Sequence, residues 1–212
     1  MQYIIMCGGQ YDKWDKPKQL VEVGGEPLVA RTIRLLRECG VEDIAISTTH
    51  SGFSDFGVPV LLHNNPYRLG LNQDYNDWLS AFYPITEPTC FIFGDVVFSK
   101  YAIQTIVETE TDDIEFFASA EPLADIYPKK WAEPFAYKVV NIQKFFACIE
   151  KAKQYEKEGR FYRKPVSWEL WQVIKGTPLG VVKYDNYTAI NDWSCDIDSP
   201  EDIKLFKEEW LK

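Results

Sequence analysis

The chain has 212 residues, 46% hydrophobic and 15% aromatic, which suits one substantial buried core and excludes a disordered polymer. With 32 acidic side chains against 23 basic ones the net charge is −9, which argues against general affinity for nucleic acid or an anionic membrane surface. A polyanion would have to be held by a local basic site or through a bridging divalent cation.

Cys7, Cys39, Cys90, Cys148 and Cys195 are widely spaced and form no Cys-x-x-Cys pair. They read as reduced core residues, without a disulfide framework or a zinc site. Only His50 and His63 are present, so a His-rich metal site is excluded. No apolar run reaches membrane-spanning length and no export signal is recognised, so a cytoplasmic location is expected.

In chain order, residues 3–7 (YIIMC) form a short apolar run ended by Gly8-Gly9, which reads as a buried strand. A polar loop follows with Lys13, Lys16 and Lys18. Glycines that let backbone N–H groups approach a ligand, beside clustered lysines at a strand end, are what a polyphosphate needs. A solvated strand-to-helix turn fits that stretch about as well. Residues 27–39 read as an amphipathic helix opened by Pro27 and closed by Gly40, with Arg31, Arg34 and Arg37 between the apolar positions. Strands are expected at 43–47, 58–62, 89–94 and 114–119, with helices at about 74–82 and 101–107. This alternation predicts an α/β fold: a Rossmann-like, mostly parallel mixed sheet with helices on both faces. From residue 120 the pattern loosens. Residues 134–140 read as a strand that leaves the main sheet, followed by helices at 142–158 and 168–174. We read 1–212 as one domain in which 120–187 form a small α+β acceptor-side insertion. The chain closes on Asp196-Ile197-Asp198-Ser199-Pro200-Glu201-Asp202, where Ser199, Pro200 and Asp202 have the spacing of a capping box before a last helix.

Asp95 follows an apolar strand and a glycine. In open α/β sheets ligands bind at such carboxyl ends of strands. A carboxylate there and others from Asp196 and Asp198 would suit Mg²⁺, which takes one or two carboxylates plus phosphate and water oxygens. Taken singly, Asp95 is as well explained as a turn or cap residue, and Asp198 as part of an Asx-turn.

The ordered motifs resemble those of the nucleotidyltransferases with a glycosyltransferase-A-like fold. The resemblance is carried by Met6-Cys7-Gly8-Gly9, Lys16-Pro17-Lys18-Gln19-Leu20, Val23-Gly24-Gly25-Glu26-Pro27-Leu28, Asn65-Pro66-Tyr67 through Gly70-Leu71, Gly94-Asp95 and the Asp196–Asp202 ending. It implies an enzyme that couples a nucleoside triphosphate, CTP or UTP, to a small phosphorylated metabolite and releases pyrophosphate. It also implies roles. Cys7, Gly8, Gly9, Asn65 and Gly70 would bind the nucleotide, and Lys18 would neutralise the α-phosphate. Asp95, Asp198 and Asp196 would hold Mg²⁺. The family's loop arginine is missing, with Lys13 its nearest substitute, and Asp12 and Asp15 add negative charge there. For the acceptor phosphate we expect Lys138, and among the aromatics Trp193. Such an enzyme needs neither nucleic acid nor membrane insertion as a partner, and could act as a homodimer. A glycosyltransferase using a nucleotide-sugar, or a non-catalytic nucleotide-binding module, are the alternatives on this fold.

Overall fold

A computed structural model describes residues 1–8, 14–63, 78–120 and 123–211. The chain opens on β1 (Gln2–Met6), then makes a small hairpin from β2 (Glu22–Val23) and β3 (Glu26–Pro27). Gly24 and Gly25 join its strands with φ of +67° and +86°, as a tight two-residue hairpin turn requires. Pro27 precedes α1 (Leu28–Glu38), which buries Leu28, Val29, Ile33, Leu35 and Leu36. β4 (Ile44–Thr48), β5 (Val60–Leu62), β6 (Thr89–Phe93) and the short β7 (Val96–Val97) follow. Then come α2 (Lys100–Glu108), β8 (Ile114–Ser119), β9 (Glu133–Val139), α3 (Ile142–Lys157) and α4 (Ser167–Lys175). The last strands are β10 (Thr188–Ala189) and β11 (Cys195–Asp196).

Seven strands make the central sheet, in the order β10-β8-β9-β6-β1-β4-β5. All its pairs are parallel except those of β9, which runs antiparallel to both β6 and β8. The expected strand at 134–140 therefore does not leave the sheet. Its FAYKV stretch is buried throughout, and it fills the gap between β6 and β8. The stretch read as an insertion thus supplies an inner strand of the core.

Side-chain alternation divides the sheet into two faces. Phe91, Phe116 and Tyr137 share one face, where Phe145 of α3 and Trp168 and Trp171 of α4 pack edge-on or stacked against them. Tyr137 ties this layer together by donating to the Ser167 carbonyl at 2.6 Å. Lys138 alternates to the other face, and its Nζ donates to the Val107 and Thr109 carbonyls at the end of α2.

The expected last helix forms instead as two short 3-10 turns, Pro200–Leu205 and Glu208–Trp210. Their ends are fixed from outside. The buried Arg31 donates to the Leu211 carbonyl at 2.9 Å, the Trp210 carbonyl at 3.4 Å and the Phe98 carbonyl at 3.2 Å. Arg31 is thus no surface residue of an amphipathic helix but the anchor of the C-terminal segment. Among the described residues no helix is long and apolar enough to cross a membrane.

Candidate active site

β1 and β6 lie side by side and end together. The Gly94 N–H donates to the Met6 carbonyl at 3.1 Å, and Thr48 Oγ1 donates to the Cys7 carbonyl at 3.0 Å. The first bond holds Gly94 against the end of β1 and the second ties Cys7 to the end of β4, so Gly8 and Asp95 emerge at the same edge of the sheet. Pro17 then leads into a 3-10 turn, Lys18–Leu20, which carries Lys18 back over that edge. Its Nζ stands 2.7 Å from Asp95 and 3.8 Å from Asp198. Lys16, two positions earlier, is exposed.

The C-terminal carboxylates arrive through a short antiparallel ribbon. β11 pairs with β7, setting Asp196 opposite Val96, and the Ile197 N–H donates to the Asp95 carbonyl at 2.9 Å. A buried network fixes the ribbon to the start of α2. Asp192 accepts from Ser99 Oγ and from the Ser194 N–H, and Ser194 Oγ accepts from the Ser99 N–H. Asp202 turns back to accept from the N–H groups of Asp198 at 2.7 Å and Ser199 at 3.0 Å, which fixes the backbone at Asp198.

The centre of the cluster is held by Lys129. Its Nζ lies 2.5 Å from Asp196, 3.0 Å from Asp198, 3.6 Å from Glu133 and 3.9 Å from Asp202. Glu133, the first residue of β9, was missed, because nothing local marks a strand-end glutamate as part of a site. Trp131 joins them, donating its indole N–H to Glu133 at 2.5 Å while its ring stays exposed.

The charges are strongly perturbed. Burial pushes Glu133 up to about 9, helped by the neighbouring Asp196. Burial also raises Asp196, to about 6, with Lys129 opposing and Asp198 and Asp95 adding to the rise. Burial raises Asp198 as well, but Lys129 and Lys18 outweigh it and hold the carboxyl below the usual aspartate value. For Lys18 and Lys129 burial disfavours the ammonium, yet the facing carboxylates win, and both stay protonated above the ordinary lysine value. Crowded carboxylates that resist ionisation beside buried cations mark a place where a cation lowers the energy.

Glu133, Asp196 and Asp198 offer oxygens within 4.8 Å of one another. With Asp95 adjacent, the donor set is all oxygen, as a hard divalent cation such as Mg²⁺ prefers. The residues fit that ion.

Of the sequence-predicted residues, Cys7, Gly8, Lys18, Asp95, Asp196 and Asp198 are gathered at this one edge. Gly9, Lys13, Asn65 and Gly70 lie outside the described residues. Lys138 is not brought there. It pairs with Cys90 at the start of β6, the end of that strand away from Asp95, and lines a separate open cleft of about 640 Å³ with Met1, Tyr3 and Thr109. Trp193 points away as well. Its ring stacks on Trp210 at 5.5 Å and packs against Phe206, so it serves the C-terminal packing.

Comparison with family models matches residues 3–165 to the MobA-like NTP transferase domain. The chain belongs to that family. The assignment agrees with the resemblance carried by the opening loop and by Gly94-Asp95. Solved structures share the fold at low identity. The inositol-1-phosphate CTP transferase from T. maritima is 18% identical with a TM-score of 0.54, over 100% of this chain and 96% of that one. The 4-diphosphocytidyl-2C-methyl-D-erythritol synthase from Anaerococcus prevotii is 13% identical, with a TM-score of 0.55 over 96% and 92% of the two chains. A hypothetical transferase from Thermus thermophilus is 14% identical, with a TM-score of 0.60 over 96% and 100%. Comparison with curated protein sequences returned no match.

Proposed function

We propose that the protein is a Mg²⁺-dependent nucleotidyltransferase that couples CTP or UTP to a small phosphomonoester, a sugar phosphate or phosphoalcohol, and releases pyrophosphate. The observation that carries this reading is the Lys18–Asp95 pair at 2.7 Å, at the mouth of the turn after β1 and beside Asp198. An ammonium that yields Asp95 to an arriving divalent ion is then free to meet the incoming α-phosphate, so the ion and the nucleotide are received by one movement. Two of the structural relatives are described as a CTP transferase and a diphosphocytidyl synthase, which favours a cytidine nucleotide.

In this reading the turn after β1 wraps the triphosphate and Lys18 neutralises charge developing at the α-phosphorus. Asp95 and Asp198, with Asp196 behind them, would hold the magnesium, which when bound supplies further charge neutralisation to the phosphate oxygens. The acceptor's phosphate oxygen attacks in line and pyrophosphate leaves. Positioning and electrostatics supply the rate, and no protein nucleophile is needed. On the acceptor side the exposed ring of Trp131 takes the place first assigned to Trp193, as a face against which a sugar or a cationic headgroup can stack.

The test incubates the protein with Mg²⁺, each of four NTPs and a panel of phosphomonoesters, and follows pyrophosphate. Release is expected with a pyrimidine nucleotide, and Lys18→Ala and Asp95→Asn should each lower turnover about 100-fold or more. Near-normal rates in both variants would overturn the site assignment. Nucleotide binding without release for any pair would favour a non-catalytic module.

A further inference from the structure

Asp198 stands between two ammonium groups. Its Oδ1 faces Lys18, which also holds Asp95, and its Oδ2 faces Lys129, which also holds Asp196 and Glu133. The cluster therefore has two cation positions, one on each side of Asp198, each filled by a lysine.

The two lysines differ in how readily they can leave. The Lys18 side chain keeps 12% of its surface, follows the turn after β1 and pairs with Asp95, which is 31% exposed. The Lys129 side chain keeps 2%, and the Asp196 and Glu133 side chains facing it keep 12% each. Taking Lys129 out would strand the deeply set Asp196 without its 2.5 Å partner, beside a Glu133 that already resists ionisation. Breaking a buried pair from one side is far more costly than opening an exposed one.

We propose that Lys129 is a resident cation of the site: it occupies the Glu133–Asp196–Asp198 position permanently and limits the protein to one divalent ion, bound on the Asp95–Asp198 side. The inference rests on the metal-dependent reading above and sharpens it. The three carboxylates whose spacing best suits a metal are the ones a divalent ion does not take. The ion goes instead to the position that Lys18 vacates. Asp196 and Glu133 then act on the bound ion only through Lys129 and Asp198, as positioning residues.

Free Mn²⁺ measured by electron paramagnetic resonance during a titration, with no substrate present, tests this. The intact protein should bind one Mn²⁺, lost or weakened at least tenfold in Asp95→Asn but changed less than threefold in Glu133→Gln. Lys129→Met should bind a second Mn²⁺, and Lys129→Arg should still bind one. Two ions in the intact protein, or an ion lost in Glu133→Gln and kept in Asp95→Asn, would overturn the resident-cation assignment and leave the transferase reading standing. No Mn²⁺ bound at any concentration would instead overturn the metal-dependent reading itself. If Lys129→Met fails to fold, the intact protein and Glu133→Gln still decide the matter.

Discussion

A methyl group at position 94 would stand 2.6 Å from the Met6 carbonyl oxygen and 3.0 Å from Cys7 Sγ. Neither neighbour can withdraw, because Met6 is paired in the sheet on both sides and Cys7 is fully buried. Gly94→Ala should therefore cost about 1–3 kcal/mol and pry the two strand ends apart. A chemical-denaturation midpoint equal to the parent's would show that the ends are not closely held. Arg31 is a second single-residue dependence. Its three carbonyl partners lie on two separate segments, and a lysine cannot reach all three. Arg31→Lys should lose about 1–3 kcal/mol, with protease cleavage first appearing after residue 205. Cleavage elsewhere would contradict the anchoring role. Lys18 and Asp95 could be read from sequence because each sits next to a glycine- or proline-marked strand end. Lys129 and Glu133 could not, since a Lys-Lys pair in a loosely patterned loop looks the same whether solvated or buried.

The ribbon of β7 and β11 is only two residues wide on each strand, yet it carries Asp196 and Asp198 to Asp95. So short a pairing is not stable alone and needs support from packing. The Ser99–Asp192–Ser194 network, spanning 95 positions of sequence, provides it. Asp192→Ala should leave Ser99 and Ser194 groups unpaired in a buried place, at a cost of about 1–3 kcal/mol. It should also depress pyrophosphate release, although Asp192 touches none of the site carboxylates. Full activity with unchanged melting would mean the ribbon holds without it. The inner strand β9 depends similarly on its neighbours: Tyr137→Phe removes the bond to the Ser167 carbonyl and should cost about 1–2 kcal/mol by thermal melting. The strand itself was legible in the sequence at residues 134–140. Its place in the sheet was not, because pairing partners are chosen by long-range packing that periodicity does not encode.

The molecule has one contiguous core, built on both faces of the sheet and including Cys7, Cys90 and Cys195. Burial pushes the Cys90 thiol up to about 12 and raises Cys195 as well, so neither forms thiolate near neutral pH. With a thiol reagent at pH 8, Cys39 and Cys148, half-buried, should react slowly, and the three core thiols only after unfolding. Rapid labelling of more than two thiols in the native protein would contradict this packing. Apolar periodicity, glycine and proline punctuation and the order of short motifs were enough to establish the class of fold and most element positions and to point to one wall of the candidate site, because each is a local property of the chain. The second wall needed folding. Asp196 lies 67 positions beyond Lys129 in the chain, and its meeting with Lys129 and the nearby Glu133 follows from β9 running antiparallel between β6 and β8 and from the β7–β11 pairing. Burial then makes their charges matter, since the same groups in water would be screened and unremarkable.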